Sequence, residues 1–180
     1  TPLQLCLMTA QIANGGYKIK PKILVNNKPL SLEQAKNSMK FDSLHSSNLK
    51  LFDNPKNIKI VQEAMFSSTN EIYGTSYKSR IDDPKYQFAG KTGTSQVKRI
   101  SKRERELDLK LEQIPYKDRD HALYVAYGPY INPRYAISII VEHGGSGSKT
   151  AAPMAKELFK LIIDRDELRK KQSNFEDINI

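Results

Sequence analysis

The chain opens on a helical pattern. Leu3, Cys6, Leu7, Ala10 and Ala13 recur at intervals of three and four, one stripe on a helix that a core would bury. Thr1 stands where an N-cap hydroxyl is needed, Pro2 suits the first helical position, and Gly15-Gly16 end the run. Residues 17–25 (YKIKPKILV) then alternate as a short strand or extended arm, which Pro21 restricts to an edge. Residues 26–53 are polar and weakly periodic, predicting a surface excursion with little regular structure. A second helix begins at Asn54-Pro55, with Ile58, Val61, Ala64 and Met65 on one face, and ends near Thr69-Asn70.

The period then changes to two. Residues 88–97 (FAGKTGTSQV) are rich in Thr and Gly, with β-type alternation and no helical period. Residues 121–145 carry two β-rich runs around the turn cluster Gly128-Pro129-Tyr130-Ile131-Asn132-Pro133, a hairpin. Its second run, YAISIIV, is apolar on both faces and predicts a central strand covered on both sides. A last helix is expected over 151–168, with Pro153 in its first turn and Ala155, Leu158, Phe159, Ile162 and Ile163 buried. Residues 169–180 form a polar tail. The fold class is α+β: one domain over 1–168, an antiparallel sheet of at least three strands flanked by helices.

Composition narrows the class. With 180 residues, 38% hydrophobic and 27% charged, the chain is long enough for one well-formed core. The longest strongly apolar run, at Tyr135–Val141, is far short of the roughly 20 residues of a membrane helix. No signal peptide starts at Thr1, so the chain is either cytosolic or an internal piece whose targeting segment lies upstream. The net charge of +9 is mostly scattered lysine without RNP-like aromatics or zinc-finger spacing, which argues against nucleic-acid binding. Residues 98–120 hold eight Lys/Arg against six Asp/Glu, a balance that reads as an exposed excursion. Cys6, the single cysteine, excludes an intramolecular disulfide and reads as a small core residue. His45, His121 and His143 are dispersed, with no metal-ligand spacing, and His143 reads as a strand-end or cleft-rim residue.

Two segments imitate a phosphate loop, whose pattern needs two glycines for close wrapping of the phosphate. Aligned on Lys91-Thr92, the first glycine position holds Lys85; aligned on HGGSGSKT, His143 and Ser148 occupy both. The phosphate reading is rejected, and 143–150 is taken as a plain connection. Lys91-Thr92-Gly93-Thr94 reads differently. On a strand Thr92 and Thr94 share a face, Gly93 leaves the strand open to approach, and Lys91 adds a cation with three donors. Such an edge can pair with an extended peptide while its hydroxyls and ammonium receive a carboxylate.

Around this tetrapeptide the chain resembles the C-terminal half of the transpeptidase domain of class B penicillin-binding proteins, closest to the elongation-type penicillin-binding protein 2 subgroup. The residues that carry the resemblance are TPLQLCLMTAQIANGGYKIKPKIL, the GTS at 74–76, FAGKTGTSQV, DHALYVAYGPYINPRYAISIIVEHGGSGS and AAPMAKELF. It implies part of the penicillin-recognising fold and a peptidoglycan D,D-transpeptidase that crosslinks stem peptides through an acyl-serine, with no cofactor. Lys91 would help organise proton transfer, and Thr92 and Thr94 would hold the carboxylate of the acceptor-side D-alanine or of a β-lactam. The Thr94 N–H would donate to the oxyanion, and Gly93 would complete the substrate-binding strand.

The family's other two motifs are not convincingly present. Literal SxxK matches stand at Ser47–Lys50, Ser95–Lys98 and Ser146–Lys149, and SxN matches at Ser46–Asn48 and Ser68–Asn70. With 15 Ser and 21 Lys, such spacings arise by chance. The resemblance therefore implies a nucleophile upstream of Thr1 and an inactive fragment. It also implies an N-terminal membrane anchor outside this chain, a periplasmic site and a glycan-polymerising partner. A related D,D-carboxypeptidase or β-lactamase and a non-catalytic peptide- or partner-binding module are the alternatives.

Overall fold

The computed structural model describes residues 1–21, 50–52, 54–99 and 109–178, with side chains to Leu168. Helix α1 runs over Pro2–Ala13, and Thr1 closes a capping box with Gln4 at its start. Its inner face differs from the expected stripe: Thr9 is fully buried, its hydroxyl donating to the Leu5 carbonyl, while Leu3 is 48% exposed. A hydroxyl that satisfies itself on the preceding turn can go inside, which a count of apolar spacings overlooks. Cys6 lies half-buried and its thiol donates to the Ala136 carbonyl. Of the arm at 17–25, Tyr17 forms a single antiparallel bridge to Lys50. The remainder of the polar excursion at 26–53 falls almost wholly outside the described residues.

Helix α2, Pro55–Asn70, starts on the Asn54 side chain, which accepts from the Lys56 N–H. Ile58 and Met65 are buried as expected, but Val61 and Ala64 face outward. The chain then crosses to strand β1, Ala89–Ser95, through a 3-10 turn at Tyr77–Ser79. Two further 3-10 turns, Leu111–Gln113 and Tyr116–Asp118, precede β2, His121–Gly128, and β3, Tyr135–Val141. The sheet is antiparallel with order β1-β2-β3, Lys91 opposite Val125 and Val125 opposite Ser138.

The central strand is thus β2, not the YAISIIV strand, which lies at the sheet's edge. Its apolar character on both faces has a separate cause, since helices cover the two sides. On one side Tyr127, Ala89 and Met65 pack with Ile12, Val125 and Ala136, joining α1 and α2 to the sheet. On the other, Phe88, Ala122, Tyr124 and Ala126 pack with Ala152, Ala155 and Phe159 of the last helix.

That helix, α3, runs over Ala152–Ile178 and follows a π-helical turn at Gly147–Ala151. Ala152, Ala155, Phe159 and Ile163 form its buried stripe, Ile162 is half-buried, and Leu158 turns outward. It continues past the expected end near Leu168, because Arg169, Lys170, Lys171 and Gln172 are good helix formers and the residues that follow contain no Gly or Pro. Three carboxylates fasten α3 to the rest of the domain. Tyr86 and Lys85 bond Asp164, Lys85 also meets Glu167, and Arg134 pairs with Asp166 at 2.7 Å. The Tyr86 hydroxyl, with Lys85 second, holds the Asp164 carboxyl below its ordinary range.

Candidate active site

All four residues singled out in the sequence stand consecutively on β1, an edge strand of the sheet among the described residues. In an antiparallel ladder, a residue's N–H and C=O point to the same side, and the side alternates along the strand. The carbonyls of Phe88, Gly90 and Thr92 accept from groups off the sheet: the Asn70 amide at 2.9 Å, the Thr69 hydroxyl at 3.5 Å and the Lys91 ammonium at 2.9 Å. Thr94, two residues on from Thr92, presents its N–H to that same open edge. Lys91 leaves the sheet on the α1–α2 side, yet its Nζ turns back to the Thr92 carbonyl. An ammonium, the Thr92 hydroxyl and a backbone donor therefore meet along one edge.

Beside them lies a groove of about 580 Å³, open to solvent and lined by Met8, Ile12, Val61, Tyr73, Thr75 and Lys91, among others. The outward turn of Val61 thus has a place in the molecule, as one wall of this groove.

Two glycines make the strand's surroundings possible. A Cβ on Gly90 would overlap the Tyr124 hydroxyl, which sits against the strand from behind. A Cβ on Gly147 would overlap the carbonyl oxygens of Gly93 and Leu123, so the π-helical turn presses directly on the sheet's backbone. The segment read as a plain connection is thus packing under the candidate site. Gly93 has a milder role, since a Cβ there would come 3.2 Å from that of Leu123.

Behind β1 is a polar knot that pattern reading did not find. The Tyr124 hydroxyl lies 2.9 Å from Thr69 Oγ1 and 3.1 Å from Ser76 Oγ, all three residues buried. Burial pushes the Tyr124 phenol above its usual value, its hydrogen bonds with Ser76 and Thr69 acting against it. In front of this knot Thr75 Oγ1 lies 3.2 Å from Thr92 Oγ1 and 3.2 Å from Ser68 Oγ. The only hint in the sequence is the Gly74-Thr75-Ser76 tripeptide, quoted for the resemblance without a role.

The chance motifs find other uses. Asn70 of the Ser68–Asn70 match donates to the Phe66 and Phe88 carbonyls, tying α2 to β1. Ser146 bonds Ser148, and Lys98 pairs with Asp118, while Ser46 and Ser47 lie outside the described residues. His143 follows β3 with a φ of 56°, its N–H donating to His121 Nδ1 and its own Nδ1 meeting the Arg119 carbonyl, a strand-end arrangement. Among the described residues no cluster of three His, Cys, Asp or Glu could hold a metal, and no helix is long and apolar enough to cross a membrane.

The model of the penicillin binding protein transpeptidase domain matches residues 1–160. The chain belongs to this family. The peptidoglycan D,D-transpeptidase MrdA of Salmonella typhimurium is 33% identical over 166 residues, covering 91% of this chain and 25% of that protein. The MrdA of Haemophilus influenzae is 27% identical, covering 92% and 24%. Among solved structures, Pseudomonas aeruginosa PBP2 in complex with WCK 5153 superposes with a TM-score of 0.60 at 29% identity, over 89% of this chain and 30% of that one. Helicobacter pylori PBP2, solved as a complex with MreC, gives 0.59 at 30% identity, over 89% and 25%. The chain thus spans about a quarter of the length of the curated relatives it matches. These penicillin-binding proteins share its α+β architecture, and the two solved relatives are of the PBP2 type that the sequence resembles.

Proposed function

We propose that this chain is the substrate-binding wall of a peptidoglycan D,D-transpeptidase, and that the acylated serine is contributed by polypeptide beyond these 180 residues. The observation that carries this reading is the joint edge of β1, where Lys91, Thr92 and the Thr94 N–H converge beside an open groove. A stem peptide ending in D-Ala-D-Ala lies along that edge as an added strand. The Thr92 and Thr94 hydroxyls donate to its terminal carboxylate, and Lys91 balances the charge. The Thr94 N–H then stabilises the oxyanion that forms when the serine attacks, a donor worth about 3–4 kcal/mol in other enzymes. A β-lactam carries a carboxylate and a strained amide in similar relation and takes the same place. Gly93 keeps the strand clear for both. The chemistry asks for no cofactor.

The Helicobacter protein is seen with MreC, and a glycan-polymerising protein is a fitting partner for the longer protein here. A periplasmic location, with a membrane anchor in that longer protein, completes the reading. Mass spectrometry after incubation with benzylpenicillin tests it. The 180-residue chain should take up no stable acyl group, and the full-length protein should gain one on a serine outside these residues. An adduct on Ser47 would instead place the nucleophile within this chain and overturn the division of labour.

A further inference from the structure

We propose that Thr75 is a positioning residue for the Thr92 hydroxyl, and that Ser68, Thr75 and Thr92 form a directed relay that aims the Thr92 proton at a substrate carboxylate. The inference rests on the carboxylate-binding reading given above, and adds to it a residue that touches neither substrate nor reacting atoms.

A hydroxyl carries one proton and two lone pairs, whereas an ionised carboxylate only accepts. To hold a carboxylate, Thr92 has to donate its single proton to it. The Thr75–Thr92 contact at 3.2 Å must then run the other way, with Thr75 donating. Having used its proton, Thr75 accepts at its other contact, from the Ser68 hydroxyl at 3.2 Å. The direction of the relay is fixed by the charge at its end.

The backbone holds Thr75 in register for this. Gly74 before it lies so close to α2 that a Cβ would overlap the Ser67 and Ser68 carbonyl oxygens. Ser76 after it is buried, and both its N–H and its hydroxyl donate to the Ser68 carbonyl, at 3.0 and 2.9 Å. An exposed threonine clamped on both sides keeps its hydroxyl over β1 without needing burial of its own. Ser68 sits in the last turn of α2, so the relay starts on a rigid element. Without the Thr75 proton, the Thr92 hydroxyl is free to rotate away from the edge.

The test compares acylation rate constants of the full-length protein with benzylpenicillin, which has a free carboxylate, and with its methyl ester, which does not. Thr92→Val should slow reaction with the acid. Thr75→Val, which keeps the branched shape, should slow it by up to about tenfold, the scale of one hydrogen bond between neutral groups. Thr75→Ser should restore the rate, and Ser68→Ala should give a smaller loss of the same kind. Thr75→Val and Ser68→Ala should slow the ester less than the acid, because an ester carbonyl accepts only a weaker, neutral hydrogen bond. Equal slowing of acid and ester by Thr75→Val would show a packing role and overturn the proposal. A normal rate for Thr75→Val beside a slow Thr92→Val would overturn it while leaving the carboxylate reading intact. A normal rate for Thr92→Val would end both.

Discussion

One phenolic hydroxyl, that of Tyr124, ties α2, the Gly74–Ser76 turn and β1 together. It reaches Thr69 and Ser76 in a space that exists only because Gly90 has no side chain. Tyr124→Phe keeps the ring in the core and removes the shared partner of two buried hydroxyls. Each retains another acceptor, Met65 or Ser68, so the expected loss is about 1–2 kcal/mol of unfolding free energy, measured by urea denaturation. The pH dependence follows from burial. The folded phenol ionises above its ordinary value of 10.0, so its contribution to stability is complete below pH 10. It is lost as pH rises further, because the unfolded chain releases the proton first. Stability should therefore fall on the alkaline side, less steeply in Tyr124→Phe. An unchanged alkaline slope in the variant would refute this account.

At the scale of elements, the helices were legible because their signals are local. The Thr1–Gln4 box, the Asn54 cap, and Pro2 and Pro55 at first helical positions lie within a few residues of what they control. The hairpin and the KTGT strand were legible for the same reason. Sheet order was not, since it depends on pairing between distant segments, and an apolar run does not say which neighbour it will have. The end of α3 was not legible, because a polar run suits an exposed helix face as well as a tail. Its buried stripe was nearly right, and Phe159 is its anchor. That ring stacks on Phe88 with centroids 4.9 Å apart, and is fully buried against Gly128 of β2. Phe159→Ala should cost about 3–5 kcal/mol in unfolding free energy, read from chemical denaturation. A loss below about 1 kcal/mol would mean that α3 is not fastened to the sheet as described.

At the scale of the whole molecule, charge and apolar surface oppose each other. The chain carries +9, which keeps copies apart at low ionic strength. Met8, Val61 and Tyr73, which line the groove, and Ile60 and Ile72 are all at least 40% exposed. Screening removes the first effect and leaves the second. The 180-residue chain should therefore associate as salt is raised, in sedimentation velocity at 0.05 and 0.5 M salt. A single monomer boundary in both would count against this.

By itself the sequence determined the helices, the strands and the tetrapeptide on which the proposed chemistry rests. These are set by spacing and residue type within a short window, where each residue's physics acts on its near neighbours. Only the tertiary structure decided that β2 is central and that the Thr94 N–H faces an open edge. It alone showed that Gly147 underlies the site and that Thr75 stands over Thr92. Those facts come from the packing of segments tens of residues apart, where a hydroxyl or a missing Cβ acquires meaning only from what folds against it.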